Sequence, residues 1–555
     1  MADSERVLAL LRRWRKAEGD KWLWNSHWDD LARVQLPTRQ GFITTTSPGE
    51  RRTDDIFDGT PMQAAIGLAN AVGGMLRPEG EQWFYIRTDD ENLNKVEEAG
   101  AWLHDSEKRL MKALDNPKAR FRQSSGEIDL DLAVLGTGCQ FIGDSKDLRH
   151  LMFQSLHLKD ITVIFSDEGV PEGVFIRREF TLRNAESRFT AEALSDATRQ
   201  KLSQRTRDDA YEDKVVLLHA ILPRKEGRAD ALIARDLPYA DIWIEVDARH
   251  EIQVSGYHEF PCVIPRWDTS SGETYGRSPG MVALPDSDTL QAQGETFLIA
   301  GQRAADPPLA VPNDSSFNDI NTFPGGLAYY STEAAAAVRG NPFFPLVTGA
   351  NIPLTQQMQM DTRDQIRAAF YRNVLNLPVE GPQMTATEVI QRKEEFIREM
   401  GPVFGRLETD YPAPQIERSF GLMLRAGGFA PIPEVLQGKN VRFEFESPIK
   451  RIRQQVEAAA ARLWVQEMVA LSEVRPEALD LVNIEAYARF THSAAHLPQS
   501  IIVDADTFEA RQKQRNEAAE AEQQMIQMQQ GAELAQSATG AVKQAVEATG
   551  GKAAA

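Results

Sequence analysis

The sequence predicts a helix-rich α+β protein. Helical periodicity at both ends, a run of short β-branched and aromatic segments from about residue 139 to 265, and a return to helical spacing after Pro285 carry that expectation. Grouped strands followed by grouped helices are the pattern of an α+β chain. At 555 residues the chain exceeds what one hydrophobic core serves, so roughly two to four structural units are expected.

Residues 3–35 read as a helix rich in tryptophan (Trp14, Trp22, Trp24, Trp28) and basic residues (Arg12, Arg13, Arg15, Lys16). Tryptophans beside arginines can stack on bases, but on one helix they serve as packing anchors between layers or subunits. A second helix is announced by "FDGTPMQAAIGLANAVGGMLRP": Asp58 or Thr60 caps it, Pro61 suits its first turn and Pro78 ends it. Then come the strand runs "CQFIG", "ITVIFSDEG", "EGVFIRREFTL", "KVVLLHAIL" and "ADIWIEVDARHEIQVSGYHEFPCVIP". In the last, Ile242, Ile244 and Val246 mirror Ile252 and Val254 across a turn at 247–250, which predicts a hairpin. One helical insert, about 187–203, interrupts the strands.

After Pro285, Leu290, Gln293, Phe297, Ala300 and Ala304 follow helical spacing. A segment dense in Pro, Gly, Asn and Asp (307–354) separates this helix from a second at 355–377, and irregular segments of that length usually carry function. Thr385 and Glu388 have capping-box spacing at the start of the next helix. Its apolar stripe is Val389, Phe396, Met400, Val403 and Leu407, with a kink expected at Pro402. A strand in "NVRFEFESPI" precedes more helix over 449–496. From about 506 the chain is rich in Ala, Gln and Glu, and Ala518, Ala521, Met525, Met528, Ala532 and Ala535 keep a narrow heptad seam. Such a seam does not hold a lone helix, so the tail is expected to be frayed or to assemble with copies of itself.

Gly276-Arg277-Ser278-Pro279-Gly280 reads G-x-S-x-G, the signature of a hydrolase nucleophile elbow. The residue after the nucleophile must give a backbone N–H to the oxyanion hole, and Pro279 has none. A histidine later in the chain could come only from His492 or His496, both in a helical stretch. A structural turn before a helix is therefore expected, and a serine hydrolase using Ser278 is the distant alternative. There is no Walker motif, and "GTGCQFIG" lacks dinucleotide-binding spacing, so no nucleotide cofactor is expected. No H-E-x-x-H occurs; His492 and His496 lack a third ligand, and His250, His258 and Cys262 are assigned to packing, so no metal is expected. Asp129 and Asp131, two apart, point to different faces of a helix and form no acid/base pair. No catalytic residue is assigned.

Cys139 and Cys262 suggest buried thiols in a reducing compartment. No run of about 18 apolar residues spans a bilayer, and the N-terminus is unlike a signal peptide, so synthesis inside a cell is expected. Lys plus Arg total 62 against 81 Asp plus Glu, a net charge of −19 that opposes tight sequence-independent DNA binding.

The order of segments resembles the portal, or head-to-tail connector, proteins of short-tailed bacteriophages. The resemblance runs from about residue 5 to 510 and rests on "RRTDDIFDGTPMQAAIGLANAVGGML", "EQWFYI", "LGTGCQFI", "YGRSPGMVALPDSDTL", "MTATEV" followed by "GPVFGRLE", and "FESPI". It implies a wing (1–279), a first stem helix (280–306), a clip (307–354), a second stem helix (355–377) and a tunnel loop (378–385). A returning wing helix and strand (386–448), crown helices (449–503) and a helical-barrel or disordered tail (504–555) complete the expected order. Pro378, Val379, Glu380, Gly381, Pro382, Gln383 and Met384 correspond to the tunnel loop. Gly276, Ser278, Pro279, Gly280 and Pro285 form the wing-to-stem hinge, and Thr385 with Glu388 the following helix cap.

By the same resemblance the partners are copies of the chain itself, typically twelve in a ring, and the large terminase ATPase. Tail adaptor and nozzle proteins, major capsid and scaffolding proteins, and weakly held double-stranded DNA complete the set. The implied location is the capsid vertex of a virion, after synthesis in the host bacterial cytoplasm. Another ring-forming adaptor or tail component is the alternative. The missing Walker motif agrees with a passive ring served by a separate motor, and an acidic channel suits a conduit better than a clamp.

Overall fold

The tryptophan-rich N-terminus folds as two helices rather than one, α1 (Ala2–Asp20) and α2 (Trp22–Gln35). The break at Lys21 has a cause that sequence spacing does not reveal. Its ammonium turns inward and donates to the carbonyls of Leu158 (2.6 Å), Lys159 (3.1 Å) and Ile161 (2.7 Å). Burial lowers its pKa to about 8 despite Glu18 and Asp160 nearby. Trp14 and Trp28 are buried, which is the packing role expected of them, whereas Trp22 is exposed.

This computed structural model describes residues 2–44, 46–47, 49–90, 93, 96–145, 150–203, 213–228, 231–313, 326–331, 344–345, 352–372, 386–439, 441–445, 448–472, 475, 481–494, 508, 510–517 and 525. They fall in two units, Met1–Lys450 and Arg451–Ala555.

Helix α3 (Thr60–Leu76) starts where expected and takes Pro61 in its first turn. Strand β1 (Phe84–Thr88) leads to α4 (Glu97–Leu114) and α5 (Phe121–Leu135). The sequence reading did not mark these two helices. In α5 the buried side mixes Phe121, Ile128 and Leu132 with Ser124, Ser125, Asp129 and Asp131, while Arg122, Gln123 and Gly126 are exposed, so polarity does not follow the helical period. Asp129 and Asp131 do point apart: Asp129 pairs with Arg77 at 2.5 Å and Asp131 with Arg39 at 2.9 Å.

The strand region contains β2 (Gln140–Asp144), β3 (Leu151–Ser155), β4 (Ile161–Phe165) and β5 (Pro171–Thr181). The expected single insert is two short helices, α6 (Leu182–Phe189) and α7 (Asp196–Ser203). Then follow β6 (Lys214–Pro223), β7 (Tyr239–Glu245), β8 (His250–Tyr257) and β9 (Cys262–Val263). Strands β4 to β8 form an antiparallel meander in sequence order, and β2 lies between β3 and β9 in a second sheet. The predicted hairpin is β7–β8, with Ile242 opposite Val254 and a register shift between Trp243 and Ile244.

Both faces of the meander are covered. Val7, Leu11 and Trp14 of α1 pack with Phe175, Leu218, Ala220 and Ile242 on one side. Leu182, Ala185 and Phe189 of α6 and Leu202 of α7 pack with Val215, Leu217 and Trp243 on the other. Burial on both faces explains why "VVLLHAIL" lacks the polar alternation of a half-solvated strand.

The long helix α8 (Pro279–Ala305) begins six residues before Pro285, which lies inside it. The following segment, read as irregular, holds β10 (Leu309–Asn313), β11 (Leu327–Ser331) and β12 (Phe344–Pro345), with β10 parallel to β11 and antiparallel to β12. Helix α9 (Ile352–Ala369) returns, and α10 (Ala386–Asp410) and α11 (Pro412–Arg425) follow. In α10 Met400, Phe404 and Leu407 are buried; Phe404, not Val403, takes the inward position beyond Pro402.

Strand β13 (Val441–Phe445) pairs antiparallel with β1, Phe84 facing Phe445, and so ties the late part of the first unit to its beginning. Helices α12 (Pro448–Ser472) and α13 (Ile484–Ala494) occupy the stretch expected to be helical over 449–496. Pro476, which cannot donate a helical hydrogen bond, stands between them.

Candidate functional site

The junction where the chain enters α8 is the best-defined site. Ser278 adopts extended backbone (φ −121°, ψ 160°), and its hydroxyl accepts the Met281 N–H at 3.0 Å, an N-cap with Pro279 at the first helical position. The same hydroxyl donates to the Val134 carbonyl at 2.6 Å, and the residue is only 3% exposed. A nucleophile needs its oxygen free for a base and a substrate. Here both hydrogen-bonding roles join α8 to α5, and no histidine is among the partners of the hydroxyl.

The glycines allow the backbones to approach. Gly136 ends α5 with φ +79°, and its N–H reaches the carbonyls of Asp131 (3.1 Å) and Leu132 (3.2 Å). A Cβ on Gly136 would overlap the Gly276 carbonyl, and one on Gly276 would overlap that of Gly136. Thr137 accepts the Gly276 N–H at 2.8 Å, and Asp268 and Arg277 exchange both backbone hydrogen bonds. Gln35 of α2 donates to the Gly280 carbonyl at 2.8 Å. Trp28 donates to the Leu135 carbonyl at 3.0 Å and packs nearly perpendicular to Tyr275, ring centres 4.9 Å apart.

Pro285 does not form part of this turn. It lies in the second turn of α8, where its missing N–H removes the partner of the Met281 carbonyl. Ser287 and Thr289 bond back to the carbonyls of Ala283 (2.7 Å) and Pro285 (2.8 Å) on that stretch.

Farther along, α8 and α9 run antiparallel. Thr362 meets Gln293 at 3.4 Å, while Asp58 receives Arg363 at 2.8 Å beside Gln291. Gln291 accepts the N–H groups of Phe57 (2.8 Å) and Asp58 (2.9 Å) and donates to the Asp58 carbonyl (2.9 Å). The Asp58 carboxylate also accepts the Thr60 N–H at 2.8 Å. Burial alone would raise its pKa, but the hydrogen bonds from Thr60 and Arg363 outweigh burial and hold it below the usual carboxylate range. Asp58, one of the two expected caps of α3, thus joins α3, α8 and α9.

Sequence reasoning missed Gln35, Thr137, Gln291 and Arg363. No local signal marks the two glutamines, whose partners are more than two hundred residues away in sequence.

Pro378, Val379, Glu380, Gly381, Pro382, Gln383, Met384 and Thr385 lie outside the described residues; Glu388 is in α10, but its side chain is outside them. Most of the segment 307–354 and the heptad seam after 506, except Met525, are outside as well. Cys139 and Cys262 are buried free thiols on paired strands or beside them, and the contact between them together with burial holds the Cys139 thiol far above its usual pKa. Among the described residues no three acidic, histidine or cysteine side chains could hold a metal ion, and no helix is long and apolar enough to cross a membrane.

At this junction buried polar groups cap and brace helices. The chain belongs to the bacteriophage head to tail connecting protein family, which it matches over residues 8–503. It is 28% identical over 544 residues to a probable portal protein of Bordetella phage BPP-1, covering 96% of each chain. It is 24% identical over 543 residues to the portal protein of Salmonella phage epsilon15, covering 96% of this chain and 95% of that one. A chain from the virion of a native gene transfer agent particle is similar over 76% of this chain and 91% of its own, at 10% identity and a TM-score of 0.34, a likeness too slight to carry an argument.

Proposed function

We propose that this chain is a phage portal protein: copies of it form a ring, of twelve subunits, at one capsid vertex. Genomic DNA enters and leaves through the ring, which is also the docking platform for the terminase motor and the tail proteins. The observation that carries the reading is the match to the head-to-tail connecting family across nearly the whole chain.

The geometry supports it. Helix α8, at 27 residues, is about 40 Å long. It is paired antiparallel with α9, held at its start by α2 and α5, and braced at its middle by Asp58. Val282, Leu298 and Ile299 on α8 and Met358 and Met360 on α9 remain exposed, as suits helices flanked by neighbouring copies. In this reading α8 and α9 are the stem, the segment 307–354 between them is the clip, and 378–385 is the tunnel loop facing DNA. A net charge of −19 per subunit keeps the channel from gripping a polyanion that carries one charge per about 1.7 Å. The role is structural, and no reaction is assigned to Ser278.

A variant lacking 307–354 is the test. It forms rings, yet a phage dependent on it fails to package DNA or attach tails; packaging by that variant contradicts the assignment. Gold labelling of the protein at the vertex, inside the head shell, separates the portal reading from a tail adaptor, which would label below it.

A further inference from the structure

Among the described residues of the second unit only Ala458 and Val482 are buried. Helices pay for their order by burying an apolar face, so side chains left outside such a unit need a partner. On α12, Leu463 (58% exposed), Trp464 (45%) and Leu471 (52%) are large and apolar. At about 100° per residue they share one arc of roughly 100° with Glu467. Val469 (51% exposed) and Arg462 sit together on the opposite flank, roughly 160° away. Each helix therefore offers two unlike patches, one apolar with an acid and one apolar with a base.

We infer that α12 is a head-to-tail interface between copies of this chain: the Leu463–Trp464–Leu471 patch of one subunit packs beside Val469 of the next, with Glu467 opposite Arg462 of that neighbour. Unlike patches on opposite flanks are what a closed ring requires, because each subunit meets two neighbours through two different surfaces. A two-fold dimer would use one patch twice and leave the other bare. The complementary charges fix which patch meets which. This inference rests on the ring reading above and adds the surface that closes the ring.

Two singly substituted full-length chains, Arg462→Cys and Glu467→Cys, provide the test. Within one helix the two positions point about 140° apart and cannot bridge each other. Cys139 and Cys262 are buried and do not compete. The chains are mixed, assembled and treated with oxidised glutathione, whose disulfide accepts the two thiol electrons and leaves as two glutathione thiols. A covalent dimer forms on a denaturing gel from the mixture and from neither chain alone.

In parallel, Trp464→Glu raises the protein concentration needed for assembly at least tenfold by mass photometry, with unchanged circular dichroism. Arg462→Glu and Glu467→Arg each weaken assembly, and together they restore it. Wild-type rings with no cross-link in the mixture and no effect of charge reversal overturn this interface while leaving the ring reading intact. A wild-type chain that stays monomeric overturns both.

Discussion

The hydroxyl of Ser278 is hydrogen-bonded on both sides, donating to the carbonyl of Val134 at 2.6 Å while it caps the long helix through the N–H of Met281 at 3.0 Å. A serine placed to suggest catalysis is thereby committed to joining two helices. Ser278→Ala removes the cap and leaves the Val134 carbonyl without its donor, which costs about 1–2 kcal/mol. Urea unfolding monitored by tryptophan fluorescence reads the loss. An unchanged midpoint would show that the hydroxyl does not hold the junction.

The glycines at the same junction differ in kind from glycines elsewhere. Gly276→Ala drives a methyl group into the Gly136 carbonyl and lowers stability by about 3 kcal/mol. Gly126→Ala, on an exposed side of α5 with nothing within 4 Å of the new methyl, raises stability by about 0.5–1 kcal/mol. Opposite signs from the same substitution are the expected result, read as shifts in thermal midpoint.

Arg77 and Asp129 form an ion pair buried on both sides, and the Arg77 guanidinium lies 4.6 Å from the ring centre of Tyr411. Asp129→Ala strands that guanidinium and costs about 3–5 kcal/mol, whereas replacing both partners by Arg77→Met and Asp129→Leu recovers most of the loss. A double variant as unstable as the single one would mean that the pair itself, not the unpaired charge, sets the cost.

His157 makes the fold sensitive to acid. Its Nε2 donates to the Arg39 carbonyl at 3.0 Å while Nδ1 accepts the Lys159 N–H at 3.0 Å, so the neutral ring is the one that fits. Burial first, and then the charges of Arg39, Lys159 and Lys21, lower its pKa to about 4. In the unfolded chain the ring binds a proton near pH 6.5, so its contribution to stability is complete above that pH. The contribution is lost as pH falls from about 6.5 to about 4 and amounts to about 3 kcal/mol at most. Asp131, raised to about 6 by burial against the pull of Arg39, acts with opposite sign between its usual value and 6, because the folded state holds the extra proton. The difference between wild type and His157→Asn isolates the histidine. Melting temperatures that converge as pH falls from 6.5 to 4 are expected; a constant gap would remove the histidine from the account.

The legible parts of the fold are those in which neighbours in sequence carry the pattern. The β7–β8 hairpin, the start of α3 beside Pro61 and a turn before a helix at Ser278-Pro279 all follow from local spacing and backbone chemistry. The break at Lys21 was not legible, because its cause is three carbonyl oxygens more than a hundred residues away. Helix α5 was hidden because Ser124, Ser125, Asp129 and Asp131 are buried beside its apolar residues, and the β1–β13 pair by a separation that no local pattern spans. At the junction the glycines and Pro279 could be read directly. Gln35, Gln291 and Arg363 could not, because their partners lie more than two hundred residues away in sequence. Pro285 was read as a boundary because proline usually ends helices, yet α8 carries it in its second turn.

The central claim is that copies of this chain close into a ring around a channel. Averaged electron microscopy images of the purified full-length protein viewed down the symmetry axis test it most directly. The account predicts closed rings of twelve subunits with an open centre; a protein that remains monomeric across concentration and salt contradicts it.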